Sequence, residues 1–143
     1  GRLKITGRAK ELFKTSKGKY VAPAPIENIL SNHPLVEACY VTGAGFHQPY
    51  GVVMLSEEAR QRASRGDRQS LEIRVLELLA DVNKVLPSFE QLAFLAIAND
   101  VWSAENGFLT PTFKIKRKVL EETYSPLAEK WYAMNKQIIW QSA

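Results

Sequence analysis

Two β-rich runs, residues 36–42 and 51–55, are followed by a helical stripe of Leu71, Val75, Leu78, Leu79, Val82 and Leu86. No other feature of the chain limits its fold as tightly. The glycine- and proline-bearing segment 43–49 between the runs turns the backbone so that they pair as neighbours. The stripe recurs at the helical period and gives one apolar face, which Pro87 ends. That face has to cover the sheet. Residues 93–97 (Ala-Phe-Leu-Ala-Ile) add a further buried strand. The expectation is an α+β fold with a small central sheet of about three strands flanked by helices.

The flanking segments fill in the order. Residues 3–6 and 12–15 alternate apolar and polar side chains as half-solvated strands do, and Ser16-Lys17-Gly18-Lys19 turns into Tyr20-Val21. This predicts a basic hairpin with glycine at its tip. Pro25 suits a first helical position for a short helix that Asn32-His33-Pro34 stops. The polar run 57–69 reads as a solvated helix start and linker without chemistry. Residues 99–113 lack periodicity and carry Gly107 and Pro111, so they form a long loop, a common location for function. Beyond it Val119, Leu120, Leu127, Trp131 and Met134 predict an amphipathic helix broken near Ser125-Pro126.

Length and composition limit the classes open to the chain. With 143 residues, 45% of them hydrophobic, it can bury about 68–70% of its unfolded surface in one core. The chain is read as one domain, residues 1–143. It starts Gly1-Arg2 without an initiator Met and reads as cut from something larger. No apolar run reaches the roughly 18–20 residues of a membrane span, and no leader pattern is present, so a cytoplasmic location is expected. A single cysteine, Cys39, lies in the apolar run Ala38-Cys39-Tyr40-Val41 and reads as an inert core thiol.

Charge is segregated. The first 19 residues hold Arg2, Lys4, Arg8, Lys10, Lys14, Lys17 and Lys19 against Glu11 alone, and Lys114, Lys116, Arg117 and Lys118 form a second cluster. The remainder is net acidic although the whole carries +4. Basic ends on an acidic body suit a phosphorylated ligand; a solvated, lysine-protected edge strand is the plainer alternative. Glycine stands beside each, Gly7 and Gly18 in the first and Gly107 in the stretch 106–117 that leads into the second, and lets backbone approach an anion closely.

Several site types are absent. His33 and His47 stand apart from each other and from any cysteine pair, so there is no zinc-ligand spacing and no metal is expected. There is no Gly-x-Ser-x-Gly elbow, no Walker lysine loop and no Gly-x-Gly-x-x-Gly. Aromatic residues are not interleaved with the basic ones as in RNA-stacking sheets, so nucleic acid is not the expected partner.

Residues 7–27, Gly-Arg-Ala-Lys-Glu-Leu-Phe-Lys-Thr-Ser-Lys-Gly-Lys-Tyr-Val-Ala-Pro-Ala-Pro-Ile-Glu, resemble the motif that opens the C-terminal domain of AMP-forming acyl-CoA synthetases, in the adenylate-forming superfamily. Glu105-Asn106-Gly107, then Leu109-Thr110-Pro111-Thr112 and Lys114-Ile115-Lys116-Arg117, resemble the catalytic-lysine loop near the end of that domain. The Leu-Thr-Pro-Thr wording is similar to the long-chain fatty-acid branch. Phe113 stands where many relatives have glycine, a departure that bears on loop flexibility.

The resemblance implies a small lid that swivels over a large N-terminal domain binding ATP, magnesium and the acyl chain, and that domain is absent from this chain. The parent would join a fatty acid to CoA through an acyl-adenylate, releasing AMP and pyrophosphate. ATP and CoA are then substrates, magnesium belongs to the missing domain, and this piece alone should bind no cofactor and be nearly inactive. Lys114 matches the lysine that reaches into the cleft during adenylation. Lys10 matches the hinge, and Arg8 the arginine facing the nucleotide; a surface ion pair with Glu11 or Glu27 is the plainer reading of Arg8. Gly18 matches the hairpin glycine beside the pantetheine arm of CoA, with Lys17 and Lys19 near its phosphates. The match does not fix roles for Lys116 and Arg117. Two rivals stay open: a related ligase that acylates a carrier protein, and a non-enzymatic basic phosphate- or nucleic-acid-binding module. Peripheral membrane association of the parent also stays open.

Overall fold

The structure, a computed structural model, describes residues 12–112 and 114–141. Two strands, β1 (Phe13–Lys14) and β2 (Tyr20–Val21), pair antiparallel with Phe13 opposite Val21. This is the hairpin expected from sequence; the strand proposed for residues 3–6 lies outside the described residues. Helix α1 (Pro23–Ser31) follows at once. Its start at Pro23, two residues before Pro25, places both prolines in the first turn, where a missing N–H costs no helical bond.

The main sheet has the order β3 (Val36–Thr42), β4 (Tyr50–Leu55), β5 (Leu95–Ile97), β6 (Ile138–Trp140). The β3–β4 pair is antiparallel, with Cys39 opposite Val53. The β4–β5 and β5–β6 pairs are parallel. The sheet therefore has four strands, where the sequence predicts about three. The unforeseen β6 contributes only Ile138, Ile139 and Trp140, too few residues to show a period, and β5 supplies its register.

Both faces of the sheet are covered, which is why β4 is buried at every position. On one face Cys39, Val41, Val53, Leu55, Leu95 and Ile97 meet Ile26 and Leu30 of α1 and the stripe Leu71, Val75, Leu78, Leu79 and Val82 of α3 (Arg68–Val85). On the other, Tyr40, Val52, Met54, Ala96 and Ile139 meet Leu120, Tyr124, Ala128 and Trp131 of α4 (Arg117–Ala133). Successive strand residues alternate between these two cores, as the pleat requires.

Two further expectations are corrected. The polar run after β4 is a helix in its own right, α2 (Glu57–Ser64), because Ser56 caps it by accepting the Ala59 N–H at 3.3 Å and Glu57 and Glu58 occupy the first turn. It ends at Ser64, and Gly66 just beyond, at φ +95°, lets the chain turn into α3. The last helix is not broken: α4 runs unbroken through Pro126. Proline there removes a single N–H, and its place on the exposed side leaves the orphaned carbonyl near water.

Candidate functional site

The segment between β5 and α4 is irregular but anchored. Asn106 replaces regular structure by accepting the Ser103 and Phe108 N–H groups at 3.0 and 3.3 Å and donating to the Val101 carbonyl at 2.7 Å. Gly107, at φ +87°, supplies the left-handed residue this turn needs. Trp102 then fixes the loop to the core: its indole N–H donates to Tyr124 Oη at 2.8 Å, and Tyr124 donates in turn to Asp100 at 3.0 Å. Burial, together with Asp100, raises the Tyr124 phenol, so it stays a neutral donor.

Lys114 sits on a tight excursion from this anchored segment. Leu109 and Ile115 form an antiparallel bridge at its base, and Lys116 N–H donates to the Phe108 carbonyl at 2.9 Å. Within the excursion the Thr110 N–H donates to the Lys114 carbonyl at 2.7 Å, and the Lys114 N–H to Thr110 Oγ1 at 3.1 Å. The backbone of Lys114 is thus held while its side chain is exposed. Among the described residues no carboxylate forms an ion pair with it.

The side chain borders a cleft of about 460 Å³ between α1, β3 and this loop, lined in part by Glu27, Cys39, Thr110 and Arg117. Glu27 is the least expected member. Only 8% exposed, its carboxylate accepts the Val41 N–H at 2.8 Å and both Arg117 Nη groups, at 2.8 and 2.9 Å. Such a fork is a strong, directional charge-assisted arrangement. The Arg117 guanidinium also lies over the Tyr40 ring, 5.6 Å from its centre. Tyr40 donates its hydroxyl to Glu121, as does Thr42 at 3.3 Å. Cys39 is inert here: burial, reinforced by Glu27, pushes its thiol up to about 12, and it donates to the Glu27 carbonyl at 3.3 Å.

The hairpin forms a second region. Gly18 has φ +82°, and a Cβ there would meet nothing within 4 Å, so the backbone angle and not crowding demands glycine. Gly18 N–H donates to the Thr15 carbonyl at 2.9 Å and closes the turn. Lys17 and Lys19 are exposed at its tip and line a cleft of about 340 Å³ with His47 and Phe89; the Lys19 ammonium lies 5.7 Å from the Phe89 ring centre. The base of the hairpin is tied to the β3–β4 loop through Ser16 N–H to Phe46 O at 2.9 Å and Gly45 N–H to Lys14 O at 3.1 Å.

The proposed site residues therefore fall into two places, Lys114 at one cleft and Lys17, Gly18 and Lys19 at another. Arg8, Lys10 and Phe113 lie outside the described residues. Glu27, which the sequence offers only as a surface partner for Arg8, is instead buried and paired with Arg117, and Thr110, quoted there only as part of the loop motif, braces the lysine backbone. The one hint for Glu27 is an acid amid the apolar face of a short helix. Among the described residues no cluster of three or more histidine, cysteine or acidic side chains is placed to hold a metal ion, and no helix is long and apolar enough to cross a membrane.

The α+β fold thus carries a lysine on a braced loop beside one cleft and a glycine-tipped basic hairpin beside another. The profile of the AMP-binding enzyme C-terminal domain covers residues 11–136, and the chain belongs to that family. It is 35% identical to long-chain-fatty-acid–CoA ligase 6 of Homo sapiens over 94% of this chain and 21% of that protein. It is 33% identical to the peroxisomal long chain acyl-CoA synthetase 6 of Arabidopsis thaliana over 92% of this chain and 21% of that one. The chain thus spans about a fifth of the length of these curated relatives. Among solved structures, the adenylation domain of the carboxylate reductase of Mycobacterium chelonae superposes with a TM-score of 0.74 at 27% identity, over 87% of this chain and 20% of that one. The corresponding domain from Segniliparus rugosus, in complex with AMP and a co-purified carboxylic acid, gives 0.73 at 27% identity, over 89% and 20%.

Proposed function

We propose that this chain is the swivelling C-terminal domain of an AMP-forming long-chain fatty-acid–CoA ligase, which converts fatty acid, ATP and CoA to acyl-CoA, AMP and pyrophosphate through an acyl-adenylate. The observation that carries the reading is the braced backbone and exposed ammonium of Lys114 at the rim of an open cleft. A large N-terminal domain of the same protein is the partner that supplies the rest of the site: the pockets for acyl chain and adenine, and magnesium.

In the adenylation pose Lys114 reaches that site. Its ammonium bridges the fatty-acid carboxylate and the α-phosphate as negative charge shifts from attacking oxygen to pyrophosphate, a fixed positive charge placed where charge develops. Arg8 faces the nucleotide, and a guanidinium fork suits phosphate or ribose oxygens. A backbone change at Lys10 then swings the lid. This second pose brings the hairpin to the cleft, where Gly18 lets the pantetheine arm of CoA pass and Lys17 and Lys19 meet its phosphates. The separation of the Lys114 cleft from the hairpin cleft supports a division of labour between two half-reactions.

Acceptor choice tests the reading. The complete enzyme, given a long-chain fatty acid and ATP, should acylate CoA and leave a phosphopantetheinyl carrier protein unmodified. Acylation of the carrier protein alone would replace the CoA ligase with a carrier-acylating relative, and failure to form any adenylate would remove the ligase reading.

A further inference from the structure

We propose that Glu27 and Arg117 are positioning residues for Lys114, an inference that rests on the role proposed above for that lysine. Arg117 is the first residue of α4 and follows Lys114 by three positions, so its side chain fixes the point where the lysine-bearing loop enters the helix. The Glu27 carboxylate accepts the Val41 N–H at 2.8 Å on β3 and the two Arg117 nitrogens at 2.8 and 2.9 Å. One buried side chain of α1 therefore ties together a strand, a helix start and the downstream root of the loop. The guanidinium is oriented by the planar fork and by the Tyr40 ring beneath it.

The upstream side is held independently. Thr110 and the Leu109–Ile115 bridge set the backbone of Lys114, while Glu27 and Arg117 set the direction in which the whole excursion leaves the sheet. Glu27, Arg117, Thr110 and Lys114 all border one cleft. A four-carbon lysine stem amplifies small rotations at its root, and displacement of a reacting group by about 1 Å can cost on the order of 100-fold in rate. Neither Glu27 nor Arg117 has to touch substrate to control the adenylation step.

The experiment uses the complete enzyme with the two half-reactions measured separately. Glu27→Gln keeps an oxygen for the Val41 N–H but removes the charge facing the fork, and Arg117→Lys keeps the charge but removes the fork. Each should lower the rate constant for adenylate formation about tenfold or more, with KM for ATP and fatty acid and the rate of thioester formation from preformed acyl-adenylate within about twofold. Added to Lys114→Ala, Glu27→Gln should cause no further loss, because a displaced alanine has nothing to position. Equal slowing of both half-reactions, an additive double variant, or no effect of either substitution while Lys114→Ala is crippled would overturn the positioning role alone. Unimpaired adenylation in Lys114→Ala would overturn the role of the lysine, and this inference with it. Should Glu27→Gln fail to fold, Arg117→Lys decides the question by the same split.

Discussion

Thr110 and Lys114 hold each other across four residues: the Thr110 N–H donates to the Lys114 carbonyl at 2.7 Å, and Thr110 Oγ1 accepts the Lys114 N–H at 3.1 Å. The threonine hydroxyl thus replaces a backbone acceptor that the tight excursion cannot supply. Thr110→Val should remove that acceptor at almost constant shape and slow adenylate formation roughly tenfold, about 1.4 kcal/mol. Thr110→Ser should retain most of the rate. Equal rates for the valine and serine variants in a pyrophosphate-exchange assay would show that the hydroxyl does not hold the lysine.

How far such details can be read from the chain depends on their range. The stripe of α3 was legible because Leu71, Val75, Leu78, Leu79 and Val82 repeat at the helical period, and β3 and β4 because Gly43 and Pro49 bound a turn between two β-rich runs. The strand β6 was not, since three residues carry no period and β5 decides their conformation. Pro126 misled because a proline on an exposed helix side loses only one bond. Of the proposed site residues, Lys114 and Gly18 rest on motif wording, and their roles stay proposals. The Glu27–Arg117 fork joins residues 90 positions apart, and nothing local to either announces the other.

Gly18 separates backbone strain from bulk. At φ +82° any side chain is strained, yet a Cβ would meet no atom within 4 Å, so Gly18→Ala and Gly18→Leu should lose similar stability, about 1–2 kcal/mol. If the pantetheine arm passes this turn, the leucine variant should form thioester from acyl-adenylate at least about tenfold more slowly than the alanine variant. Indistinguishable thioesterification rates would remove Gly18 from the CoA path.

Gly43 behaves in the opposite way. A Cβ there would lie 2.7 Å from Pro49 Cα, on backbone that cannot step aside, and 3.2 Å from a ring carbon of Phe13 in the hairpin. Gly43→Ala should therefore destabilise the protein by about 1–3 kcal/mol, read as a lower urea midpoint. An unchanged midpoint would mean that the β3–β4 loop yields without cost.

His33 gives the fold a pH dependence. Burial, helped by the nearby Arg74 charge and opposed by Asp81, holds the imidazole below its ordinary value of 6.5, and the Leu35 N–H donates to His33 Nδ1 at 3.1 Å, a bond only the unprotonated nitrogen can accept. In the window between that lowered folded value and the unfolded value the unfolded chain binds more protons, so this contribution is complete above about pH 6.5 and is lost as pH falls toward the folded value. A proton NMR titration should place the His33 midpoint below 6.5, and the stability difference between wild type and His33→Gln should shrink on acidification. A midpoint at or above 6.5 would contradict this.

The most direct measurement is the pair of half-reaction rates in the complete enzyme carrying Lys114→Ala. Adenylate formation from fatty acid and ATP should fall by two or more orders of magnitude, on the order of 3–4 kcal/mol of transition-state stabilisation, while thioester formation from preformed acyl-adenylate and CoA continues at close to the wild-type rate. Equal loss of the two steps, or adenylation that proceeds unimpaired, would contradict the placement of this ammonium at the reacting phosphate.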